Sequence, residues 1–246
     1  MSTPPGWRHR HYDTLASTSD LLTTLATAGE PGRLVISATW QTHARGSRGR
    51  AWTTSPGSLA VSILLRPNGL ASEVGHWALL AAVALRAALD APIIRCKWPN
   101  DLLLDGQKLA GILIDTAVRS PAPGDTGRGE FAGANRASGQ ILDWLVIGFG
   151  ANLRHAPDGA AALARDPAAV ATALLTQIDT WDSLRQRDGW SAIRQAWVAA
   201  GPALGTHMQA GVIAGTYQGL GDSGALLLQT GGRVHAVTTG DVLHAQ

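Results

Sequence analysis

The pattern of hydrophobic residues changes after Gly201-Pro202, and this change limits the folds that the chain can adopt. Before that point, segments with helical periodicity alternate with short apolar runs of the kind that form strands. After it, short alternating segments separated by glycine turns predict strands over 211–218, 224–230 and 234–239. The sequence therefore predicts an α+β domain over residues 1–203 and a small β-barrel over residues 204–246 that packs on it.

The larger part combines both kinds of secondary structure. Helical spacing of apolar residues predicts helices over 18–28, 76–89, 168–178 and 183–200. The predicted strands are 33–40, 58–65, 93–98, 109–116 and 141–149. A turn at Asp105-Gly106 joins the third and fourth of these strands into a hairpin. Residues 119–140 are rich in Gly, Pro, Ala and Ser, which predicts a flexible surface insertion.

The composition is typical of a globular protein. Of 246 residues, 45% are hydrophobic and 15% are charged, which suits one domain with a small appendage. A formal net charge of +2 is too small for a protein that coats nucleic acid without sequence specificity, and we predict no nucleic-acid partner. We find no apolar run that could span a bilayer and no secretory signal. Cys96 is the single cysteine, so the chain cannot form an internal disulfide, which fits a reducing compartment. We therefore expect a cytoplasmic protein without membrane contact.

Lysine occurs at only two positions, although the chain has 20 basic residues. The segments Lys97-Trp-Pro-Asn-Asp101 and Lys108-Leu-Ala-Gly111 flank the predicted hairpin, so that Asp101 and Lys108 lie near opposing positions. A compact ammonium stabilises charge on phosphate and carboxylate oxygens in a way that a planar guanidinium cannot imitate. The alternative interpretation is an exposed Lys–Asp ion pair without a role in a site, which contributes well under ~1 kcal/mol to the stability of the fold.

A second candidate site is the polar, glycine-rich segment 41–57, which we predict to be a loop. It contains Arg45, Arg48 and Arg50, followed by Trp52. Glycines allow the backbone to approach a phosphate closely, and arginines add charge and forked donors. The segment thus predicts a clamp over a phosphate-bearing ligand, although by itself it also fits a solvated basic loop that contacts RNA. The sequence contains no Walker pattern.

Two further segments are weaker candidates. Ser17, Thr18 and Ser19 stand at a predicted helix start, where at least one hydroxyl caps the helix and the others can bind a small polar ligand. The segment Gly148-Phe-Gly150, followed by Asn152, ends a predicted strand and allows close approach of a ligand.

Of the nine tryptophans, we predict that Trp52 and Trp98 lie within the sites and that most others are buried in the core. Trp98-Pro99 resists regular sheet pairing, which predicts a pocket wall or a bulge. The spacing of the histidines is not that of metal ligands, and we predict no metal site made by protein groups alone.

Taken together, these segments resemble the biotin–protein ligase family, from about Asp13 to the C-terminus. The family has a serine–threonine pair, a Gly-Arg loop, Lys-Trp-Pro-Asn-Asp, Lys-Leu-Ala-Gly-Ile and Gly-x-Gly-x-Asn. The matching segments follow in the same order: Ser17-Thr18, Ala44–Trp52, Lys97–Asp101, Lys108–Ile112 and Gly148–Asn152. The resemblance implies a catalytic domain like that of class II aminoacyl-tRNA synthetases, with a C-terminal SH3-like β-barrel.

The resemblance also implies an activity. Members of the family use ATP and Mg²⁺ to activate biotin as biotinyl-5′-AMP. They then transfer biotin to a lysine of a biotin carboxyl carrier domain, and the family expectation for this partner is acetyl-CoA carboxylase. Many relatives dimerise, so a homodimer is one further expectation.

By resemblance, the catalytic groups are Lys108 and Arg45. The residues implied to bind biotin are Ser17, Thr18, Ser19, Gln41, Arg45, Gly46, Ser47, Lys108, Gly111 and Gly148. Those implied to bind ATP or the adenylate are Arg48, Arg50, Trp52, Lys97, Asn100, Asp101 and Asn152. Mg²⁺ is expected to be held through ATP, near Asp101.

The chain departs from the family pattern in the Gly-Arg loop. Ala44 replaces the first glycine and Ser47 replaces the second arginine, while Ser19 stands where many members have asparagine. Because Ser47 lacks the guanidinium that helps to hold the loop closed in the family, our hypothesis is that this chain retains biotinyl-5′-AMP less tightly. Only about a dozen residues precede the first matching segment, so we expect no DNA-binding winged helix and no operator binding.

Two other functions compete with this interpretation. A lipoate–protein ligase or octanoyltransferase shares the implied fold and a comparable lysine, and Trp98-Pro99 with the Arg45-to-Arg50 loop favours biotin over it. A non-catalytic RNA- or nucleotide-binding protein predicts salt-sensitive RNA binding, but it leaves the isolation of Lys97 and Lys108 unexplained.

Overall fold

The computed structural model describes residues 1–121, 140–238, 240 and 242–244. Its largest element is a mixed sheet of seven strands in the order β1-β2-β3-β7-β6-β5-β4. The strands are β1 (Arg8–Leu15), β2 (Leu34–Gln41), β3 (Leu59–Leu65), β4 (Arg95–Lys97), β5 (Asp101–Leu104), β6 (Gln107–Arg119) and β7 (Ile141–Ala151). The pairing of β1 with β2 is parallel, and the others are antiparallel.

Helices cover both faces of this sheet. They are α1 (Thr18–Thr27), α2 (Val74–Leu89), α3 (Pro167–Asp188) and α4 (Ser191–Ala200). Side chains alternate between the faces of a strand, so Ile36 on β2 packs with Leu22 of α1, whereas the neighbouring Val35 packs in the cluster that contains α2, α3 and α4. Among the described residues, no helix combines the length and apolar character needed to cross a membrane.

The C-terminal part is a second sheet of five strands, in the order β11-β10-β9-β8-β12. Its strands are β8 (His207–Ala210), β9 (Ile213–Leu220), β10 (Leu226–Thr230), β11 (Arg233–Val237) and β12 (Val242–His244). All neighbouring pairs are antiparallel.

The second sheet packs on the larger part, as the sequence predicted. Apolar residues of this sheet, among them the fully buried Tyr217, belong to the same buried cluster as α2. The turn before β10 is hydrogen-bonded to the larger part, because Trp98 Nε1 donates to Gly224 O at 3.1 Å and His76 Nε2 lies 2.7 Å from Asp222 O. The division at residues 203 and 204 stays a prediction.

Several predicted elements are confirmed within a few residues. Helix α1 begins after Ser17, whose hydroxyl accepts a hydrogen bond from Asp20 N at 3.2 Å and caps the helix. The hairpin turn is at Asp105-Gly106, where both residues have positive φ, 50° and 78°. That pair of conformations matches a tight hairpin turn, for which Asp-Gly is a strong sequence signal.

Other predictions were wrong or incomplete. The helix predicted over 183–200 is two helices, because α3 continues to Asp188 and the chain leaves the helical conformation at Gly189, where φ is 74°. Strands β1, β5, β8 and β12 were not predicted. Strand β1 reads Arg-His-Arg-His-Tyr-Asp-Thr-Leu, and as an edge strand it lacks the apolar pattern that marks a buried strand.

Two further differences concern segment limits. Strand β6 extends to Arg119 and thus reaches the predicted insertion, of which residues 122–139 lie outside the described part, as does Thr239 at the end of a predicted strand. The predicted loop contains a short 3₁₀ helix over Ser47–Gly49.

Candidate active site

A pocket of about 490 Å³, including the open space at its mouth, lies between the start of α1, the end of β2, the middle of β3, strand β7 and the hairpin of β5 and β6. It brings together every residue that the sequence analysis assigned to biotin. These lining residues are Ser17, Thr18, Ser19, Gln41, Arg45, Gly46, Ser47, Lys108, Gly111 and Gly148. They come from segments far apart in the chain, so the fold itself assembles the site.

Hydroxyl groups form the closed end of this pocket. Thr18 and Ser19 are 3% and 6% exposed, although both are polar. Thr18 is tied to Gln41 through two hydrogen bonds, because its backbone N–H and its Oγ1 donate to Gln41 Oε1 at 2.8 and 3.1 Å. Buried polar groups are costly unless they are hydrogen-bonded, and this network meets that requirement at the pocket wall.

Ser62 completes the hydroxyl cluster, and the sequence analysis did not identify it. Its Oγ lies 2.7 Å from Thr18 Oγ1 and 3.0 Å from Ser19 Oγ. It also lines the pocket. The signal that could have revealed it is its position as the only polar residue in the otherwise apolar strand Leu59–Leu65.

Lys108 lies at the start of β6, near the middle of the site. Its Nζ is 2.7 Å from Asp101 Oδ1, which confirms that these two residues meet across the hairpin. The register pairs Asp101 with Gly111, and a bulge after Leu102 brings Lys108 opposite Leu103. A bulge re-aims the side chains next to it, and the lysine here reaches back towards the aspartate.

A second cavity of about 640 Å³, again including open space, adjoins the first. Gly46, Ser47, Trp52 and Lys108 line both cavities. The Trp52 ring packs where glycines leave room, since a Cβ placed on Gly150 would lie 2.7 Å from Trp52 Cε2. Lys108 Nζ lies 5.6 Å from the centroid of this ring. The tryptophan and the lysine are therefore shared between the two cavities.

The second cavity contains part of the predicted nucleotide site. Arg50 and Asn152 line it, whereas Asn100 and Asp101 line the first pocket. Asn152 is only 2% exposed, and its Nδ2 donates to Ala161 O at 3.1 Å. Within the described part of the chain, Asn152 Oδ1 is a buried acceptor without a hydrogen-bond partner.

Ion pairs hold the Gly-Arg loop at the pocket mouth. Arg45 bridges two acids, with its Nε 2.6 Å from Asp20 Oδ1 and its Nη2 2.7 Å from Asp115 Oδ2. Asp20 and Asp115 were not predicted, because carboxylates distant in the sequence carry no signal of such a pairing.

Both departures from the family pattern have a place in this loop. The Ser47 hydroxyl accepts a hydrogen bond from Arg50 Nη2 at 3.0 Å, and Ala44 is 7% exposed, so its methyl group is accommodated. The side chain of Arg48 lies outside the described part.

Three predicted or considered residues lie elsewhere. Lys97 lines neither cavity and pairs with Asp101 through the backbone of β4 and β5. Trp98 was predicted to lie in a site, and this was wrong: its ring is 4% exposed and bonded to the C-terminal sheet through Gly224. Cys96 is buried, as expected, and burial raises the pKa of its thiol to about 12.

No group of three or more His, Cys, Asp or Glu side chains that could hold a metal ion occurs among the described residues. Of the carboxylates, Asp101 lies at the first pocket beside Lys108.

Comparison with known proteins agrees with the geometry. The family model described as the biotin/lipoate A/B protein ligase family matches residues 13–123. A protein named biotin–[acetyl-CoA-carboxylase] ligase from Paracoccus denitrificans is 31% identical over 225 residues, which cover 82% of this chain and 86% of the relative. A protein of the same name from Mycobacterium tuberculosis is 28% identical and covers 97% of this chain and 90% of its own length.

Solved structures show the same fold. The biotin protein ligase from Aquifex aeolicus, in complex with biotin and ATP, superposes with a TM-score of 0.76 at 19% identity and covers 97% of this chain and 99% of that chain. The enzyme from Helicobacter pylori gives a TM-score of 0.63 at 20% identity, with 94% of this chain and 99% of that chain covered. With the sequence matches, these findings place the chain in the biotin/lipoate A/B protein ligase family.

Proposed function

We propose that the chain is an ATP-dependent biotin–protein ligase. A carboxylate oxygen of biotin attacks the α-phosphorus of ATP, which forms biotinyl-5′-AMP and releases pyrophosphate. The amine of an acceptor lysine then attacks the carbonyl of this mixed anhydride, an amide bond forms, and AMP leaves with release of a proton. The observation that carries the proposal is that Lys108 lines both the hydroxyl-lined pocket and the adjoining cavity.

The position of Lys108 explains how one residue serves both substrates. Biotin in the first pocket would direct its carboxylate towards the boundary at which the cavities meet. A phosphate in the second cavity would reach the same boundary, where the ammonium stabilises the charge that builds up on the oxygens during adenylation. The carboxylate of Asp101, whose Oδ1 lies 2.7 Å from Lys108 Nζ, holds the ammonium at this place.

Arg45 is the second catalytic group in this proposal. In the structure its side chain is 40% exposed, and its guanidinium is paired with Asp20 and Asp115. Exposed ion pairs contribute about 0–1 kcal/mol, so the side chain can exchange an aspartate for a carboxylate or phosphate oxygen at low cost. The loop would then close over the adenylate and keep water from the mixed anhydride.

The nucleotide side rests on Trp52, Arg50 and Asn152. The buried Oδ1 of Asn152 lacks a partner in the described part of the chain, and an N–H of a bound nucleotide base would satisfy it. Arg50 supplies charge to the phosphates. We assign Arg48, Lys97 and Asn100 to this side from the family resemblance.

ATP is expected to bring Mg²⁺ into the site. The donor set fits a metal ion that is held mainly by phosphate oxygens, because the carboxylate of Asp101 is near but no cluster of protein ligands surrounds it in the described residues. Bound with ATP, Mg²⁺ neutralises phosphate charge and favours departure of pyrophosphate.

The finer features of the fold follow the same proposal. We assign the larger part to the class II synthetase-like catalytic domain and the C-terminal sheet to an SH3-like barrel, with the division near residue 203. The acceptor is a biotin carboxyl carrier domain of acetyl-CoA carboxylase, in agreement with the names of the relatives from Paracoccus and Mycobacterium. A homodimer and a cytoplasmic location complete the proposal.

A transfer assay tests the function. The purified chain is incubated with ATP, Mg²⁺, biotin and a carrier domain, and the mass of the carrier is measured. We expect one biotinyl group on the acceptor lysine, and no modification when ATP is omitted. A lipoyl group added from lipoate in place of biotin, or no modification from either acid, would contradict the proposal.

A further inference from the structure

Ser62 is buried beneath the biotin pocket, at the centre of its hydroxyl cluster. Its side chain is 0% exposed, and its neighbours across the sheet are Ile36 on β2 and Gly148 on β7. Gly148 leaves the space that the hydroxyls occupy, because a Cβ at this position would collide with Ser19 Oγ and approach Ser62 Oγ to 3.3 Å. Ser62 thus contacts the site from below rather than from the open side.

The direction of the hydrogen bonds in this cluster follows from counting protons. The backbone N–H of Thr18 donates to Gln41 at 2.8 Å, which identifies the accepting amide atom as the oxygen Oε1. Because this oxygen can only accept, Thr18 Oγ1 donates its single proton to it. The 2.7 Å contact between Ser62 and Thr18 then requires Ser62 to donate. Ser62 has no second proton, so Ser19 donates to Ser62 at 3.0 Å.

The cluster is therefore a directed chain from Ser19 through Ser62 and Thr18 to Gln41. At the start of the chain, the Ser19 hydroxyl donates its proton to Ser62 and can therefore only accept a hydrogen bond from a ligand. At its end, Gln41 has committed its oxygen to Thr18, and its remaining amide nitrogen can only donate. The pocket thus presents an acceptor near one end of the cluster and a donor near the other.

We propose that Ser62 is a positioning and specificity-determining residue, which acts through Thr18 and Ser19 to favour a ring that carries both N–H and carbonyl groups. This inference rests on the proposed function. A ureido ring, as in biotin, has N–H groups for Ser19 and a carbonyl for Gln41. A dithiolane ring, as in lipoate, has neither and would leave the buried Ser19 hydroxyl and the partly buried Gln41 amide without these hydrogen bonds, which is a basis for rejection.

Ser62→Ala tests this role, with Ser37→Ala as the matched control. Ser37 is a buried serine on β2 that bonds to His9 at 2.7 Å and to His11 at 2.9 Å and lines neither cavity. Without Ser62, the Ser19 proton has no partner and turns towards the ligand. We expect the KM for biotin to rise about tenfold or more, with the KM for ATP and the kcat at saturating biotin within about threefold of wild type.

The alternative variant Ser62→Cys covers the case in which the alanine variant does not fold. A thiol is a weak donor and acceptor, so the KM of Ser62→Cys for biotin should lie between those of wild type and Ser62→Ala. If Ser62→Ala does not fold, the KM of Ser62→Cys should still exceed that of wild type. A wild-type KM in the Ser62 variants, a parallel loss in Ser37→Ala, or a loss confined to kcat would overturn the inference. Failure of the wild-type chain to use biotin at all would instead overturn the proposed function.

Discussion

The two ends of the biotin pocket are held together by different interactions. At the closed end, Thr18, Ser19 and Ser62 are 3%, 6% and 0% exposed and are linked by bonds between neutral hydroxyls. At the loop end, Arg45 is 40% exposed and is held by two ion pairs. One end is thus shielded from water, whereas the other is in contact with it.

This difference separates recognition from chemistry. An unsatisfied buried polar group costs about 1–3 kcal/mol, so under the proposed function we expect the closed end to reject ligands that cannot complete its network. Exposed ion pairs contribute about 0–1 kcal/mol and are weakened by salt, so the loop end can exchange its partners when substrates arrive. We therefore expect changes at the closed end to affect binding of biotin and changes at the loop end to affect adenylation and retention of the adenylate.

The largest expected effect is on chemistry. Lys108→Ala removes the ammonium at the boundary of the two cavities, and we expect the rate of biotinyl-5′-AMP formation to fall by about 10²–10³. The Kd for biotin should rise far less, by about tenfold or less, since only the contact with the carboxylate is lost and the closed end is untouched. Single-turnover formation of the adenylate and calorimetric titration with biotin measure the two quantities.

Lys97→Ala is the matched control, because it removes the other lysine, which lines neither cavity. Because Lys97 is assigned to the nucleotide side by resemblance, we expect Lys97→Ala to raise the KM for ATP. Its effect on adenylate formation at saturating ATP should be at least about tenfold smaller than that of Lys108→Ala. Equal losses in both variants would break the assignment of chemistry to Lys108.

The second effect is on recognition. Gly148→Ala places a methyl group against Ser19 Oγ, which must shift and so disrupt the hydroxyl cluster. Overpacking of this kind typically costs about 1–3 kcal/mol of folding free energy. Because the displaced hydroxyl lies at the pocket wall, we expect a cost of similar size in binding, which is a rise of about fivefold to 150-fold in the Kd for biotin. Gly221→Ala is a control in the C-terminal part, where the added Cβ would meet Leu227 at an ordinary distance of 3.4 Å. A normal Kd in Gly148→Ala would mean that the closed end does not bind biotin.

The third effect concerns retention of the adenylate. Ser47 accepts a hydrogen bond from Arg50 at 3.0 Å, and an arginine in its place would add a cation next to the bound phosphate. We expect Ser47→Arg to slow dissociation of biotinyl-5′-AMP by about threefold to tenfold. Stopped-flow release of the adenylate measures this rate, and an unchanged rate in the arginine variant would sink the hypothesis of weak retention.

The smallest effect lies outside the pocket, where the C-terminal sheet joins the larger part. Burial lowers the pKa of His76, which contacts Asp222 O, while the neighbouring Arg194 lowers it further. Since the pKa is below 6.5 in the folded state and near 6.5 in the unfolded state, the unfolded chain binds the proton better and stability falls as the pH drops below about 6.5.

We therefore expect Tm to decrease between about pH 7.5 and about pH 5.5, and to decrease less in His76→Gln. Acidification also acts on other groups of the protein, so the difference between the two proteins is the relevant measurement. A loss of Tm on acidification that is identical in the two would exclude His76 as the cause.

Local motifs predicted which residues come together at one pocket, whereas the roles of these residues stay predictions. The ten residues implied to bind biotin line one pocket, although the fold brings them there from segments far apart in the chain. Ser62 was missed because its role depends on partners 43 and 44 positions away in the chain. The sequence around a single serine in a strand does not indicate which residues it will contact. Those contacts form only when α1 packs on the sheet.

The fold was harder to predict wherever packing overrides local pattern. Trp98 follows Lys97 directly in a motif, yet its indole bonds to a carbonyl 126 positions away and lies in the core. The break between α3 and α4 depends on one glycine conformation, which helical periodicity does not reveal. Strand β1 lies at the edge of the sheet and has a polar sequence, so it lacks the hydrophobic pattern from which a strand could be predicted.

Biotin-dependent exchange of labelled pyrophosphate into ATP tests the central claim most directly, because it follows adenylation without the acceptor. With the wild-type chain we predict rapid exchange that requires biotin and is not supported by lipoate. We predict that Lys108→Ala binds biotin but exchanges at about 1% of the wild-type rate or less. Exchange without biotin, exchange that depends on lipoate, or full exchange by Lys108→Ala would contradict the account.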